Sequence, residues 1–290
     1  MRTPLTTAQS FEMRVGNDVR RYTMVSAVEG DLATSPIIID LHGSGSSPEE
    51  HLAVTAAHAM AGQGAVVVLP QADIPFRLLP EWPTGWAWNV PGSPLPGETE
   101  PRQGPDDVEF IGELIAEVVQ RHGADPSRIH LRGYSGGARL SAHLAARFGD
   151  SLASVCFVSG VRFVDGEGKR PPVLSLHGRR DHLNPYDGGA GSRWSESVES
   201  AVQRWAGAVG CEPVPTVRAI TETIHAIDYR DSTGFAAVRL IRVDDAEHAW
   251  PGTQDRDHIE QFGCSGHLDA SQAHLDFIHD VENQYTDSFR

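Results

Sequence analysis

Ile129-His130-Leu131-Arg132-Gly133-Tyr134-Ser135-Gly136-Gly137-Ala138-Arg139-Leu140 is the stretch whose reading decides the fold. It reads as a short apolar strand that runs into Gly-x-Ser-x-Gly and then into a helix with Leu140, Leu144 and Phe148 on one stripe. A sharp strand-to-helix turn projects the serine hydroxyl away from the sheet. Gly133 and Gly137 are demanded because side chains there would clash with the crossing backbone. The N–H of Gly136 falls at the helix start, where unpaired donors and the positive dipole end favour a developing oxyanion. Glycines around a serine also make ordinary turns; the placement between strand and helix gives this pentapeptide its weight.

Outward from the turn, short apolar runs alternate with helical patterns. Ile37-Ile38-Ile39-Asp40-Leu41 is a buried-strand run, and Ser47-Pro48-Glu49-Glu50 caps and starts a helix. Gly64-Ala65-Val66-Val67-Val68-Leu69-Pro70 is the next strand, and Asp106-Asp107-Val108-Glu109 opens another helix. Beyond the central turn come strands at 154–158 and 172–176, a helix around 194–208, strands at 224–229 and 237–243, and a closing helix at 268–281. Upstream, residues 21–25 alternate as a strand, and residues 1–10 read as a loose lead-in. Such alternation implies parallel crossovers and a mostly parallel, doubly wound α/β sheet. The segment 71–105 breaks the rhythm. It is rich in proline, carries Trp82, Trp86 and Trp88, and is too long for a plain connection. Its tryptophans either pin it to the core or line an acyl pocket; Trp86 and Trp88 are the substrate-binding candidates.

Serine is a weak nucleophile and needs a base and an orienting acid, which on such a sheet follow in the order Ser, Asp or Glu, His. Leu174-Ser175-Leu176-His177-Gly178-Arg179-Arg180-Asp181 puts Asp181 just beyond a strand end, with Asp187 as the alternative further along the loop. Asp150 lies too close to the elbow helix. Of the 14 histidines, only His248 combines a loop after the last strand with the right chain order. His42 and His177 read as structural donors in glycine turns. The second oxyanion donor is expected from His42-Gly43-Ser44-Gly45, with the N–H of Ser44 partnering that of Gly136. A phosphate-binding reading fails, because neither a Walker lysine nor the G-x-G-x-x-G context is present. His258, Cys264 and His267 share a loop but match no common zinc spacing. The expected metal and cofactor content is therefore none.

At 290 residues and 40% hydrophobic, the chain is expected to form a single α/β domain, core about 20–283, with 71–105 inserted near the site. A formal charge of −15 argues against nucleic acid or an anionic membrane as partner. No basic n-region with an apolar h-region opens the sequence and no run approaches membrane-spanning length, so the expectation is a soluble cytoplasmic protein. The 3 cysteines suggest reduced thiols, with Cys156 an inert core residue.

With these pieces assembled, the chain resembles the polyhydroxybutyrate depolymerase-like and feruloyl-esterase-like branch of the α/β-hydrolases. The resemblance is carried by Leu41-His42-Gly43-x-Gly45, Asp106-Asp107-Val108-x-Phe110, Asp125-Pro126-Ser127-Arg128-Ile129 and Gly133-x-Ser135-x-Gly137. It continues through His177-Gly178-x-x-Asp181 with Pro185-Tyr186, Trp205 with Cys211, and His248-x-Trp250-Pro251-Gly252. The last piece is the most specific, and adds Trp250 to the substrate-binding candidates. Two departures stand out. Secreted relatives often pair a cysteine like Cys211 with one in the next strand, which this chain lacks, and Asp245-Ala246-Glu247 replaces a glycine-rich approach to the base. The resemblance implies a serine carboxylic ester hydrolase acting through an acyl-enzyme on small acyl, hydroxyalkanoate or hydroxycinnamoyl esters. The alternatives are a thioesterase, amidase or peptidase on the same residues, or a non-catalytic hydrolase-like binding protein.

Overall fold

The computed structural model describes residues 5–189 and 194–287. The chain opens with a hairpin of β1 (Thr6–Val15) and β2 (Asp18–Ala27), then β3 (Ile37–Leu41), α1 (Pro48–Val54), α2 (Ala57–Gly62) and β4 (Val66–Pro70). A small hairpin, β5 (Ile74–Phe76) and β6 (Gly85–Ala87), interrupts before α3 (Asp107–His122). Then come β7 (Ile129–Tyr134), α4 (Gly136–Phe148), β8 (Ser154–Val158), β9 (Val173–Gly178) and α5 (Val198–Val209). The last part holds β10 (Thr216–Ala219), β11 (Ile224–Tyr229), β12 (Val238–Val243), α6 (Arg256–Phe262) and α7 (Ala270–Asp287).

Among the described residues a 10-stranded sheet runs in the order β1-β2-β4-β3-β7-β8-β9-β12-β11-β10. From β4 to β12 every pairing is parallel; the outer strands on both sides pair antiparallel. Side-chain alternation along the inner strands builds two core layers. Ile37, Ile39 and Leu41 pack with Phe110, Ile111 and Leu114 of α3 and Leu140 and Leu144 of α4. Ile38 faces the other way, onto Ala57, Met60 and Ala61 of α2 and Ile278 of α7. The doubly wound sheet expected from the sequence is therefore present. Both expected helix caps form: Ser47 Oγ accepts from Glu50 N at 3.3 Å and Asp106 Oδ1 from Glu109 N at 2.9 Å. No helix among the described residues is long and apolar enough to cross a membrane.

The N-terminal reading needs correction, because Thr6–Val15 is a full strand rather than a lead-in; residues 1–4 lie outside the described residues. Its first half carries almost nothing apolar, so the strand is held by its backbone ladder to β2 and by Phe11 stacked on Tyr22 at 5.2 Å. β10 escapes sequence reading for the same reason, since all of its residues are exposed.

The consequence for function lies at one edge. β3, β7, β9 and β12 are parallel, so the loops leaving their carboxyl ends converge on one side of the sheet. Those loops carry Ser44, Ser135, Asp181 and His248.

Candidate active site

Ser135 sits between β7 and α4 at φ 52° and ψ −110°, a conformation that costs a non-glycine residue of order 1–3 kcal/mol. Its surroundings enforce it. Ser135 N donates to Val158 O at 2.9 Å and its carbonyl accepts from Arg139 N at 3.1 Å. A Cβ on Gly133 would lie 2.5 Å from Gly137 O, and one on Gly160 would lie 2.6 Å from Ser135 O. The turn is closed by backbone contacts that only glycine permits.

The serine hydroxyl meets His248: Oγ lies 3.0 Å from Nε2, and Nδ1 lies 2.7 Å from Asp181 Oδ2. A carboxylate acceptor at Nδ1 puts the proton there and leaves Nε2 free to accept from the serine. Asp181 is almost wholly buried. Burial alone would raise its pKa, but His248 and His177 beside it hold the carboxyl below the usual range. Its second oxygen accepts from Leu183 N at 3.0 Å and Asn184 N at 2.7 Å. His177 Nε2 donates to Asn184 O at 2.9 Å and lies 3.3 Å from Asp181 Oδ2, so this histidine orders the loop that carries Asp181. Asp187, the alternative acid, is exposed and pairs with Arg179 at 3.7 Å.

His248 is held by its main chain as well. The N–H groups of His248 and Ala249 both reach Phe262 O at 3.1 Å, and the His248 carbonyl accepts from Tyr134 Oη at 2.9 Å. The imidazole lies beside the Tyr134 and Phe262 rings, at centroid distances of 5.4 and 5.6 Å.

Ser44 and Gly136 also come together. A Cβ on Gly136 would lie 3.3 Å from Ser44 N. Neither amide has a hydrogen-bond acceptor among the described residues, while those of Gly45 and Ser46 are occupied. The loop is held by β6: Gly45 N donates to Trp86 O at 2.8 Å, and Trp86 N donates to Ser46 O at 2.9 Å. His42 anchors its other end. This buried ring bonds the Gly43 carbonyl through Nδ1 at 2.8 Å and accepts from Ala72 N through Nε2 at 3.2 Å. Burial pushes its pKa down to about 3.

A cavity of about 980 Å³ opens over Ser135 and His248. Its walls include Leu78, Leu79 and Trp82 from the loop between β5 and β6, with Trp194, Leu183 and Asn184. The outer wall is α6, which supplies Asp257, His258, Glu260, Gln261 and Phe262. Trp82 meets Phe262 edge to face at 5.2 Å. The tryptophans singled out from the sequence lie elsewhere. Trp88 is 1% exposed and donates its indole N–H to His42 O at 2.8 Å. Trp86 holds the Ser44 loop through its main chain. Trp250 is buried against the Arg132 guanidinium at 4.9 Å, the His51 ring at 5.7 Å and the Tyr134 ring at 5.8 Å. The stem of the insertion folds onto the core, so its tip reaches the cavity. Residue type alone cannot separate Trp82 from Trp88; the pairing of β5 with β6 does.

Beneath the site lies a buried ionic set. Arg132 holds Asp40 through two bonds, at 2.9 and 2.5 Å, and His51 Nε2 lies 3.0 Å from the same carboxylate. Burial opposes this charge, but Arg132 and His51 keep the Asp40 carboxyl well below its ordinary range. No group of three or more His, Cys, Asp or Glu among the described residues is arranged to hold a metal ion. The chemistry available is that of a hydroxyl beside a buried, acid-backed imidazole and two unpartnered amides.

Comparison with known proteins points the same way. The family described as Esterase PHB depolymerase matches residues 98–177, a stretch that contains Ser135. NocK of Nocardia uniformis subsp. tsuyamanensis is 32% identical over 161 residues, which is 53% of this chain and 42% of that protein. Feruloyl esterase B of Piromyces equi is 26% identical over 252 residues, 82% of this chain and 44% of that one. The chain thus spans less than half the length of these curated relatives. Among solved structures, acetyl xylan esterase from Aspergillus awamori superposes with a TM-score of 0.59 at 16% identity, covering 88% of this chain and 99% of that one. This last likeness speaks to the fold, which is that of the α/β-hydrolases. The family match and the sequence relatives show that, over part of its length, the chain is similar to polyhydroxybutyrate depolymerase-like and feruloyl-esterase-like esterases.

Proposed function

We propose that this chain is a serine carboxylic ester hydrolase that works through an acyl-enzyme on small acyl, hydroxyalkanoate or hydroxycinnamoyl esters. The reading rests on one observation above all: His248 stands between Ser135 Oγ at 3.0 Å and Asp181 at 2.7 Å, with Ser135 in the left-handed region. Ser135 Oγ attacks the ester carbonyl carbon as its proton passes to His248 Nε2. Asp181 keeps the ring oriented and offsets its charge. The carbonyl oxygen becomes an oxyanion beside the N–H groups of Ser44 and Gly136, worth about 3 kcal/mol per donor in comparable sites. Collapse expels the alkoxide, which takes the proton from His248. Water, deprotonated by His248, then cleaves the acyl-enzyme and restores Ser135. No cofactor enters these steps.

The test is a panel of p-nitrophenyl esters of increasing chain length, run beside methyl ferulate and a hydroxybutyrate oligomer, before and after treatment with a fluorophosphonate. One label per chain is expected, on Ser135, with turnover lost in proportion. Ser135→Ala should lower turnover by at least about three orders of magnitude while the protein stays folded. Label on another residue, or a tenth of the activity surviving in Ser135→Ala, removes Ser135 from the mechanism.

A further inference from the structure

A second histidine faces the cavity and takes no part in the steps above. His258 lies on α6, in the cavity wall, with its backbone N–H capped by Asp255 Oδ1 at 2.9 Å. Its Nε2 lies 3.1 Å from the backbone N of Trp250 and 3.3 Å from Tyr134 Oη. A backbone N–H can only donate, so Nε2 is the acceptor and carries no proton. Tyr134 Oη is already committed as donor to the His248 carbonyl at 2.9 Å. Burial first, with His248 beside it opposing a second positive charge, pushes the His258 pKa down to about 3. The ring is therefore neutral at any ordinary assay pH, and its one proton sits on Nδ1. That Nδ1–H has no acceptor among the described residues, and Nδ1 is not among the enclosed side-chain atoms that lack a partner.

We propose that His258 is a specificity-determining residue, whose Nδ1–H is a fixed donor to an acceptor oxygen in the acyl or alcohol part of the ester. The inference rests on the ester-hydrolase reading and deepens it. Esters carrying an ether, hydroxyl or carbonyl oxygen within reach of α6 are preferred over their all-carbon counterparts. The anchor that holds the ring is also what orients the donor. Because Trp250 N occupies Nε2, the imidazole cannot flip to offer its other edge without leaving a backbone N–H unpaired. A role in anchoring α6 alone would use Nε2 and leave Nδ1 idle, so the two roles fall on different ring atoms and can be separated.

The experiment uses pairs of p-nitrophenyl esters that differ by one oxygen in place of one methylene: 3-methoxypropanoate against pentanoate, and 4-methoxybutanoate against hexanoate. The ratio of kcat/KM within each pair is measured for the wild type, His258→Gln and His258→Asn, together with thermal midpoints. Comparing ratios between proteins cancels the intrinsic reactivity of the esters. Glutamine can keep an acceptor near the Nε2 position but not the Nδ1 donor, and asparagine the reverse. On at least one pair, His258→Gln should lower the wild-type ratio by roughly fivefold to tenfold, the worth of one hydrogen bond. His258→Asn should hold the ratio within about twofold while lowering the thermal midpoint, because it loses the anchor. A folded His258→Gln with the wild-type ratio on both pairs overturns the proposal, as does a loss that follows His258→Asn instead. If neither variant folds, the wild type decides: after division by alkaline hydrolysis rates, a methoxy preference under about twofold on both pairs overturns it. Wild type that cleaves none of the esters refutes the hydrolase reading itself, a distinct result.

Discussion

Gly85→Ala tests whether the oxyanion-side loop is held by the backbone of β6. A Cβ at this position would overlap the Gly45 carbonyl and lie 2.9 Å from Ser46 N, against an ordinary contact of 3.4 Å or more. The three nearest atoms are all backbone, so no side chain can swing aside. Clearing Ser46 N alone requires 3.4 − 2.9 = 0.5 Å of movement, and the carbonyl demands more. That movement must stretch Gly45 N to Trp86 O and Trp86 N to Ser46 O, the bonds that fix the loop on either side of Ser44. A misplacement approaching 1 Å costs ~100-fold in rate, and complete loss of one oxyanion donor costs about 100- to 1,000-fold. Gly85→Ala should therefore lower kcat for a p-nitrophenyl ester by about 100-fold, with a smaller change in KM, because the donor acts mainly on the transition state. Gly207→Ala, whose Cβ meets nothing within 4 Å, serves as the control and should leave kcat unaltered. Steady-state kinetics, with circular dichroism to confirm folding, is sufficient. If folded Gly85→Ala keeps more than half of the wild-type kcat, β6 does not position Ser44 and the argument fails.

Two other tests reach different parts of the molecule. Trp82→Ala should reorder kcat/KM across an ester panel by up to about tenfold with little change in thermal midpoint, whereas Trp88→Ala should lose about 3–5 kcal/mol of stability. Equal stability losses, with substrate order fixed in both, would show that Trp82 is merely another anchor. Stability should also fall on acidification between about pH 6.5 and 3. His42 and His258, held neutral to about 3 in the folded chain, take up protons once unfolded. The unfolded state binds more protons across that window, so unfolding free energy drops by up to about 1.4 kcal/mol per pH unit per histidine. Urea midpoints that stay flat from pH 7 to 4.5 would contradict this.

The central layers were legible in the sequence because burial on both faces makes them uniformly apolar: residues 37–41, 66–70, 129–134 and 154–158 can be little else. The placement of Ser135, Asp181 and His248 follows from chain order on such a sheet, and the distances join them. What escaped was set by contacts between distant segments. β1 and β10 carry few buried side chains and declare themselves only through ladder bonds. Trp82 and Trp88 stand six positions apart in one proline-rich loop, yet the β5–β6 hairpin sends one to the cavity and the other beneath it. In the sequence His258 stands close to Cys264 and His267, a grouping that suggests metal ligation, but it sits on α6. Its hydrogen-bond partner, Trp250 N, comes from the loop after β12, and its ring lies beside Tyr134 at the end of β7.

The stacking of Trp250 on Arg132 bears on what a signature motif records. Trp250, two places after His248, covers the Arg132 guanidinium that together with His51 holds Asp40, and it lies behind the cavity wall without lining the cavity itself. Presence of that tryptophan in a related chain therefore reports the foundation under the reaction and is silent about the acyl group consumed. It also implies joint inheritance. Removing one member of a buried ion pair costs about 3–5 kcal/mol, while exchanging the whole set for apolar residues can be neutral. Arginine in the strand before the elbow, aspartate in the strand beside it and tryptophan after the base should be kept or abandoned together, whatever ester the loops above have come to favour.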